Sequence, residues 1–382
     1  MGCWRHLLLS YAACAGAWEF PQKPISYLFG QEPVLEEDCS VDIMTGSQFS
    51  GLTTYANLPY LNCFLDGEAK GRPYDIAIMG APFDTGVTAR PGARYGPRGI
   101  RIGSMRKYAG FGWSVYDGKN ALQSWATVVD CGDVPLTVLD NKVALAQLEK
   151  AHTVVSGRRA TTEARSAHPR ILTLGGDHTT TLAALRSTFK RWGQVSVVHF
   201  DSHIDTWDPM VLGGVSEYAG INHGTFLHVA HEEGLIRNTS IHAGVRAPLA
   251  RRRDDLRNDA RCGFVAVTAR DLDAGGAAGV AARIRDRVRG SGVYVSVDVD
   301  VLDPAFAPAT GTPEPGGWSS RELLAVLDGL RGLDLVGADV VEFAPAYDDA
   351  GETTALAAAE VAWSLLELMV EEPAAGPGEP QP

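Results

Sequence analysis

Residues 195–205 read VSVVHFDSHID, a mostly apolar run that ends in three ionisable side chains. The run has the length and β-branched composition of a buried strand. Asp201, His203 and Asp205 follow at positions i, i+2 and i+4, a spacing that turns side chains to one side of an extended chain. Because three ionisable groups at the end of an apolar strand are costly to bury without a cation, this stretch predicts a central strand that presents metal ligands.

Similar apolar runs occur along most of the chain. The predicted strands cover residues 75–79, 126–129, 171–174, 195–200, 240–243, 264–267, 293–297 and 335–341. Apolar residues recur at helical spacing within residues 139–156, 179–192, 277–288, 320–330 and 353–370. Ser319 or Ser320 can cap the fourth helix. This alternation predicts the α/β class, with three layers around a central parallel sheet of about eight strands.

Two other predicted strands end in residues of the same kind. The run 171–174 is followed by the sequence GGDH, which ends at His178, and the run 293–297 is followed by Asp298 and Asp300. Open parallel sheets bind ligands beyond the carboxyl ends of their strands. Taken singly, GGDH is typical of a turn, and Asp-x-Asp of a solvated loop or a helix cap. Together, the three strand ends predict one metal site formed by His178, Asp201, His203, Asp205, Asp298 and Asp300.

The donor types indicate which metal this site would hold. Four carboxylates and two imidazoles without a thiolate favour Mn²⁺ over Zn²⁺ or Fe²⁺, and the histidines disfavour Mg²⁺. Six side chains exceed what one ion needs, whereas two ions can share bridging carboxylates. A metal pair of this kind lowers the pKa of a water molecule toward neutrality. The sequence therefore predicts two Mn²⁺ per subunit.

Composition excludes several other classes of protein. The chain has 382 residues, of which 45% are hydrophobic and 21% charged, as in globular proteins. A net charge of −12 without a long basic block argues against nucleic acid as a partner. The charge also suits a small cationic substrate, although many acidic proteins are acidic only for solubility. No transmembrane segment is predicted.

Changes in composition predict the domain boundaries. Residues 71–370 are expected to form one catalytic domain, because no linker divides them. Residues 18–70 predict an irregular N-terminal arm, and residues 371–382 a disordered tail. Residues 1–17 combine an early basic residue, a short apolar run and an A-x-A site, which is typical of a signal peptide. A secreted or secretory-pathway protein is expected; an unrelated N-terminal extension would leave a cytoplasmic or organellar location.

The cysteines and a glycosylation sequon also bear on whether the chain is secreted. Cleavage of a signal peptide would leave Cys39, Cys63, Cys131 and Cys262, an even number that permits two disulfides. Their spacing does not determine any pairing, and buried free thiols are common. Asn238 begins the sequon Asn-Thr-Ser, which can be used only in a secreted chain.

Three stretches resemble the signatures of a known family. GGDHT at 175–179, DSHIDTWD at 201–208 and SVDVDVLDPAFAPATGTPEPGG at 296–317 are similar to the ureohydrolase motifs of arginases and agmatinases, and the resemblance covers about residues 74–368. It implies that both metal ions share Asp201 and Asp298. One ion would also bind His178 and Asp205, and the other His203 and Asp300. It further implies a symmetric homo-oligomer, expected to be a trimer or hexamer.

The resemblance also implies the chemistry. Hydroxide would attack the guanidinium carbon, and urea and a primary amine would leave. Glu342 would bind the guanidinium group, Asp205 would pass a proton to the departing amine, and His223 would act as a proton shuttle. Without the resemblance, His223 is an ordinary loop histidine, and His199 and His242 are interpreted as core residues of strands.

The substrate is left open between several guanidino compounds. Thr206 and Trp207 follow Asp205 and resemble agmatinases rather than arginases, and Trp207 and Met210 could line an apolar channel. Agmatine is the first expectation, with Glu217 or Asp208 as partners of its ammonium group. The alternative is 4-guanidinobutyrate, with Arg90 or Arg94 as partners of its carboxylate. A formimino-glutamate hydrolase and a non-catalytic relative that binds metal or a guanidino ligand are also considered.

Overall fold

The structure is a computed structural model that describes residues 49–214 and 216–371. The predicted signal segment, Cys39, most of the predicted N-terminal arm and the tail beyond residue 371 lie outside the described residues. From Leu52 onward, the described chain forms one compact unit.

A single eight-stranded sheet forms the centre of this unit. In chain order its strands are β1 (Ile76–Gly80), β2 (Val128–Asp133), β3 (Arg170–Leu174), β4 (Ser196–Phe200), β5 (Ser240–Val245), β6 (Phe264–Thr268), β7 (Gly292–Asp298) and β8 (Asp334–Val341). They lie in the order β2-β1-β3-β8-β7-β4-β5-β6, and neighbouring strands pair in parallel. The predicted α/β fold with a parallel sheet of eight strands is confirmed.

Helices cover both faces of the sheet. They are α1 (Asp66–Ala69), α2 (Gly96–Gly103), α3 (Asn141–Ser156), α4 (Thr180–Trp192), α5 (Phe226–Glu232), α6 (Arg252–Arg261), α7 (Asp271–Val288), α8 (Ser320–Asp328) and α9 (Thr353–Val370). Helices α3, α4 and α5 pack successively against one another, and α2, α9, α8 and α7 form a second packed group. The two groups and the sheet between them give the three layers.

Successive side chains of a central strand point to opposite faces of the sheet, so the apolar core is divided between the two helical layers. In β4, Val198 and Phe200 belong to the apolar cluster that includes residues of α7, α8 and α9. Val197, between them, belongs to the cluster that includes residues of α4 and α5. Both faces of a parallel sheet are buried in this way, which is why its strands read as continuous apolar runs.

Helix ends agree with the sequence where a local signal exists. Ser319 and Glu322 form a reciprocal capping box at the start of α8. Helix α7 begins at Asp271, earlier than expected, and passes through Gly276 at a φ of 62°. The sequence did not predict α1, α2, α5 and α6. Helix α6 offers little apolar periodicity because its sequence RRDDLRNDAR is mostly charged.

Helix α9 is the one described helix long and apolar enough to cross a membrane by length and composition. However, 67% of its most apolar window is buried inside the protein. It packs on β8 and β3. Its apolar composition is therefore explained by its position in the core.

The segment before β1 is fastened to the edge of the sheet. Cys63 forms a disulfide with Cys131 of β2, a pairing that the sequence left open, whereas Cys262 is a free, buried thiol. Beside this disulfide, the backbone N–H of Tyr55 donates to Asp130 Oδ2 at 2.8 Å. Arg101 Nε donates to the same oxygen at 2.8 Å. These contacts attach the preceding segment to β2.

The disulfide is expected to stabilise the fold. Replacing Cys63 and Cys131 together with alanine should lower the free energy of unfolding by about 2–4 kcal/mol, because the cross-link closes a long loop in the unfolded chain. Urea unfolding monitored by circular dichroism would measure this loss. Cys262→Ala, which removes a buried thiol without removing a cross-link, is the matched control. An unchanged unfolding midpoint in the double variant would contradict the expectation.

Candidate metal centre

Three strands, β3, β4 and β7, place the six predicted metal ligands at one edge of the sheet. His178 follows β3, Asp201, His203 and Asp205 follow β4, and Asp298 ends β7. Asp300 lies in the 3₁₀ turn Val299–Val301 that follows β7. Because parallel strands share one direction, their carboxyl ends meet there. The structure brings all six predicted metal ligands together.

The first group of side chains surrounds the ring of His178. Its Nδ1 lies 3.1 Å from Asp201 Oδ2, 3.1 Å from Asp205 Oδ2 and 3.3 Å from Asp298 Oδ2. Although it is buried, this nitrogen has no hydrogen-bond partner in the described structure, nor does Asp201 Oδ2. Neighbouring ligands of one ion at about 2.1 Å stand about 3 Å apart. The unpartnered atoms and their spacing therefore fit a metal ion.

A second group forms around His203. Its Nδ1 lies 3.0 Å from Asp300 Oδ2 and 3.2 Å from Asp201 Oδ1. Asp201 thus belongs to both groups, with a different carboxylate oxygen in each. Two clusters of potential ligands that share one carboxylate support a binuclear site. This is the arrangement that a bridging ligand requires.

The charges in the first group are unfavourable without a cation. Burial, together with the charges of Asp300 and Asp201, raises the pKa of Asp298 well above its usual range. Burial and the charge of Asp201 raise the pKa of Asp205 to about 6. These shifts record the cost of bringing several carboxylates together in a buried place. A bound cation would offset that cost.

Hydrogen bonds behind the ligands hold their orientation. His178 Nε2 lies 2.7 Å from Ser296 Oγ, which donates to Asp339 Oδ1 at 2.5 Å. Ser202 donates to Asp300 Oδ1 through its backbone N–H at 3.0 Å and its hydroxyl at 2.8 Å. Partners of this kind fix the ring and carboxylate positions of metal ligands.

Glu342 and His223 form a pair beside the first group. Glu342 Oε1 accepts the backbone N–H of His178 at 2.8 Å and lies 3.1 Å from His223 Nδ1. The other oxygen, Oε2, is buried without a partner. Burial alone lowers the pKa of His223, but the hydrogen bond and charge of Glu342 raise it to about 9. On the far side of the ring, His223 Nε2 lies 2.9 Å from Thr88 Oγ1.

A cavity of about 340 Å³ opens onto several of the candidate metal ligands and His223, whereas Glu342 is not among its described lining residues. Its inner end is polar and includes His203, Asp205, Asp298 and His223, whereas Trp207, Val211, Leu212 and Leu249 make an apolar wall. Trp207 thus lies where the channel was expected, but Met210 does not line this cavity and is 90% exposed. Among the described residues that line it, there is no lysine or arginine.

Three of the four polar partners expected for the far end of the substrate do not line this cavity. Arg94 Nε pairs with Asp84 at 2.5 Å, and the guanidinium of Arg90 lies over the ring of Tyr347. Asp208 does not line the cavity. The side chain of Glu217 lies outside the described residues. The candidate partners of a substrate carboxylate are therefore engaged in other contacts.

Sequence reasoning missed one histidine of the site. His199 and His242 are fully buried in strands, as expected. However, His199 Nε2 also lies 3.0 Å from Asp201 Oδ2. The signal was present, since His199 precedes Asp201 by two residues and continues its i, i+2 series. The roles of Ser296 and Asp339 had no signal, because both lie within apolar strand runs.

The sequence is similar to those of known proteins. The family model described as "Arginase family" matches residues 74–367. The chain belongs to the arginase family. It is therefore a hydrolase that acts on C–N bonds in linear amidines, as the family signatures predicted.

Individual relatives agree with this assignment. "Putative agmatinase 1" of Schizosaccharomyces pombe is 50% identical over 337 residues, which cover 86% of this chain and 84% of the relative. Among solved structures, proclavaminate amidino hydrolase from Streptomyces clavuligerus has a TM-score of 0.73 at 34% identity, covering 85% of this chain and 99% of its own. A hypothetical agmatinase from Burkholderia thailandensis has a TM-score of 0.72 at 33% identity, covering 85% and 92%.

Removing the carboxylate shared by the two groups should abolish tight metal binding. Asp201→Asn is expected to weaken Mn²⁺ affinity by more than about 100-fold, beyond the loss typical of residues behind the ligands. Titration of the metal-free protein with Mn²⁺ would measure this. Asp177→Asn is the control, because Asp177 is a neighbouring buried carboxylate outside both groups. Equal affinity of Asp201→Asn and the wild type would refute the shared-ligand assignment.

Proposed function

We propose that this protein is a binuclear manganese hydrolase that cleaves an agmatine-like guanidino compound into urea and a primary amine. The observation that carries the proposal is the position of Asp201, one buried carboxylate shared by two groups of potential metal ligands. The names of the relatives, which include agmatinases and an amidino hydrolase, support a guanidino substrate.

The donor set supports manganese. The residues that would hold the ions are His178, Asp201, His203, Asp205, Asp298 and Asp300. Carboxylate oxygens with some imidazole and no thiolate suit Mn²⁺. When bound, the metal pair supplies an activated water at neutral pH and stabilises negative charge that develops on the reacting groups.

Glu342 is suited to bind the guanidinium group. Its Oε1 is engaged by His178 and His223, whereas Oε2 is free to accept N–H groups of a cation. It is 1% exposed, so water screens the attraction only weakly. A planar guanidinium bound there has its carbon held in a fixed orientation, which lowers the entropic cost of attack.

Two side chains are placed to move the proton that the departing amine requires. Asp205 lies at the inner end of the cavity with a carboxyl pKa of about 6 in the absence of a cation. His223 also lines the cavity, and its Nε2 faces Thr88. We infer that Asp205 transfers the proton to the amine nitrogen, while His223 exchanges protons with solvent.

The cavity wall favours agmatine over a guanidino acid. A methylene chain would lie along Trp207, Leu212 and Leu249. The described lining has no lysine or arginine to pair with a carboxylate, and Arg94 is already paired with Asp84. Burying a carboxylate without a partner is costly. An amine-ended substrate, whose far end can stay in water at the cavity mouth, is therefore preferred.

A urea assay across guanidino compounds tests this function. With Mn²⁺ added, agmatine should be cleaved with the highest kcat/KM, and 4-guanidinobutyrate, 3-guanidinopropionate and arginine at least about 10-fold less well, since an unpaired buried charge costs more than 1.4 kcal/mol. Glu342→Gln should lower kcat/KM by about 100-fold or more while binding Mn²⁺ as the wild type does.

Three outcomes would overturn parts of the proposal. Release of urea from no guanidino compound would leave a non-catalytic binding protein, and release of formamide from formimino-glutamate would indicate the other hydrolase considered. A preference for 4-guanidinobutyrate would refute only the choice of substrate. The Glu342→Gln variant separates loss of substrate binding from loss of metal, because its side chain is outside both metal groups.

We also propose that the protein acts as a homo-oligomer, a trimer or hexamer. Membership of the arginase family supports this proposal. Light scattering during size-exclusion chromatography would give the mass, and a monomer at micromolar concentration would contradict it.

We further propose that the chain passes through the secretory pathway. The Cys63–Cys131 disulfide supports this, because disulfides persist in oxidising compartments. Asn238 is exposed in the turn before β5, at the edge of the sheet opposite the metal centre. A glycan there would leave the cavity open.

Glycosylation at Asn238 is the readout for this proposal. Protein from a eukaryotic secretory host should lose apparent mass on treatment with an N-glycosidase, and Asn238→Gln should abolish that shift because the acceptor amide is gone. Thr239→Ser, which changes the sequon's middle residue but keeps its acceptor pattern, is the control. A chain that stays unglycosylated inside the host cell would refute the proposal.

A further inference from the structure

A chain of buried polar side chains runs outward from the metal centre to α6. His199 Nε2 lies 3.0 Å from Asp201 Oδ2, and His199 Nδ1 lies 2.9 Å from Nδ1 of His242 on the adjacent strand. His242 Nε2 in turn lies 2.8 Å from Asp259 Oδ1 on α6. Both histidines are 0% exposed and Asp259 is 5% exposed. We call His199, His242 and Asp259 the relay.

The rings of the relay are fixed by hydrogen bonding. An ionised carboxylate only accepts, so His242 Nε2 carries the hydrogen that Asp259 receives. The contact between the two Nδ1 atoms holds a single hydrogen, so one ring donates and the other accepts. The tautomer of one ring therefore dictates that of the other. The face of His242 also stacks on Phe264, with ring centroids 4.1 Å apart.

Asp259 also reaches the ligand segment by a second path. Thr206 Oγ1 donates to Asp259 Oδ1 at 2.7 Å, and Thr206 directly follows Asp205. The neighbouring residue Asn258 donates to the backbone carbonyl of Thr206 at 2.5 Å. One carboxylate on α6 thus orients the His199 ring beside Asp201 through His242, and supports Asp205 through the adjacent threonine.

The inner end of the relay makes no hydrogen bond among the described residues. His199 Nε2 and Asp201 Oδ2 are both buried and lack hydrogen bonds in the described structure. The ring of His199 also lies against that of His178, with centroids 4.8 Å apart. Buried polar atoms are seldom left unpaired. The relay therefore directs a polar nitrogen at the first metal group rather than only filling space.

We propose that Asp259 is a positioning residue of the metal centre, which acts through His242 on His199, whose Nε2 faces the first metal group, and sets the affinity for Mn²⁺. This inference rests on the proposed binuclear site. Outer carboxylates that orient a histidine near a metal typically change metal affinity 10–100-fold. The relay extends that effect across two strands to a helix that contributes no ligand.

Variants of the relay test this role in metal-free protein titrated with Mn²⁺. Asp259→Asn and His242→Phe should each weaken Mn²⁺ binding by about 10–100-fold and alter the electron paramagnetic resonance spectrum of the bound ion. His242→Phe keeps an aromatic ring against Phe264, so the fold is expected to persist even if Asp259→Asn does not fold. Asp259→Glu should restore most of the affinity.

Asp255→Asn is the matched control. Asp255 lies on the same helix, is 3% exposed, and accepts the backbone N–H of Arg251, without touching the relay. It should change thermal stability but not Mn²⁺ affinity. If Asp259→Asn and His242→Phe lower the melting temperature of metal-free protein yet bind Mn²⁺ as the wild type does, the relay is only structural and the proposal fails. If the wild type itself binds no Mn²⁺, the proposed function fails and the relay has no metal to serve.

Discussion

The burial of the Asp201 carboxylate determines which groups must surround it. Its carboxylate is 0% exposed, and its two oxygens face different imidazoles, that of His178 on one side and that of His203 on the other. Three further carboxylates stand within the same small volume. Such a concentration of negative charge is tolerable inside a protein only when positive charge is supplied. The sheet, the hydrogen bonds behind the ligands and the cavity are arranged around this requirement.

Strand patterning explains how much of this could be predicted from the sequence. All eight strands were predicted because strands buried on both faces are continuous apolar runs. The six candidate metal ligands could be selected from the sequence because they interrupt those runs at strand ends, where a charged residue is conspicuous. His199 was interpreted as core because it lies inside the run, although its spacing from Asp201 matches that of His203. Ser296 and Asp339 gave no signal, since their roles arise only when β7 and β8 lie side by side.

The candidate metal ligands and the residues that would select the substrate lie in different parts of the structure. The ligands stand at the ends of paired central strands, where main-chain hydrogen bonds fix their positions. The apolar wall comes from connecting segments, with Trp207 and Leu212 after β4 and Leu249 after β5. Loops on a rigid scaffold vary more freely than the scaffold itself. The family signatures therefore predict the reaction better than the substrate, which depends on the wall.

Backbone strain adds a second reason why metal and fold depend on each other. Asp205 and Glu342 adopt left-handed conformations, with φ of 50° and 64°, at a cost on the order of 1–3 kcal/mol each. Local hydrogen bonds hold them there: Glu342 N donates to Gly176 O at 2.8 Å, and Asp205 O accepts from Leu227 N at 3.2 Å. The strain places both side chains toward the first metal group, where their charges repel in the absence of a cation. A bound ion would offset that repulsion, so its binding energy would also stabilise the folded state. The sheet and outer partners such as Asp339 and Asp259 thus fix the positions of the side chains that would hold the metal.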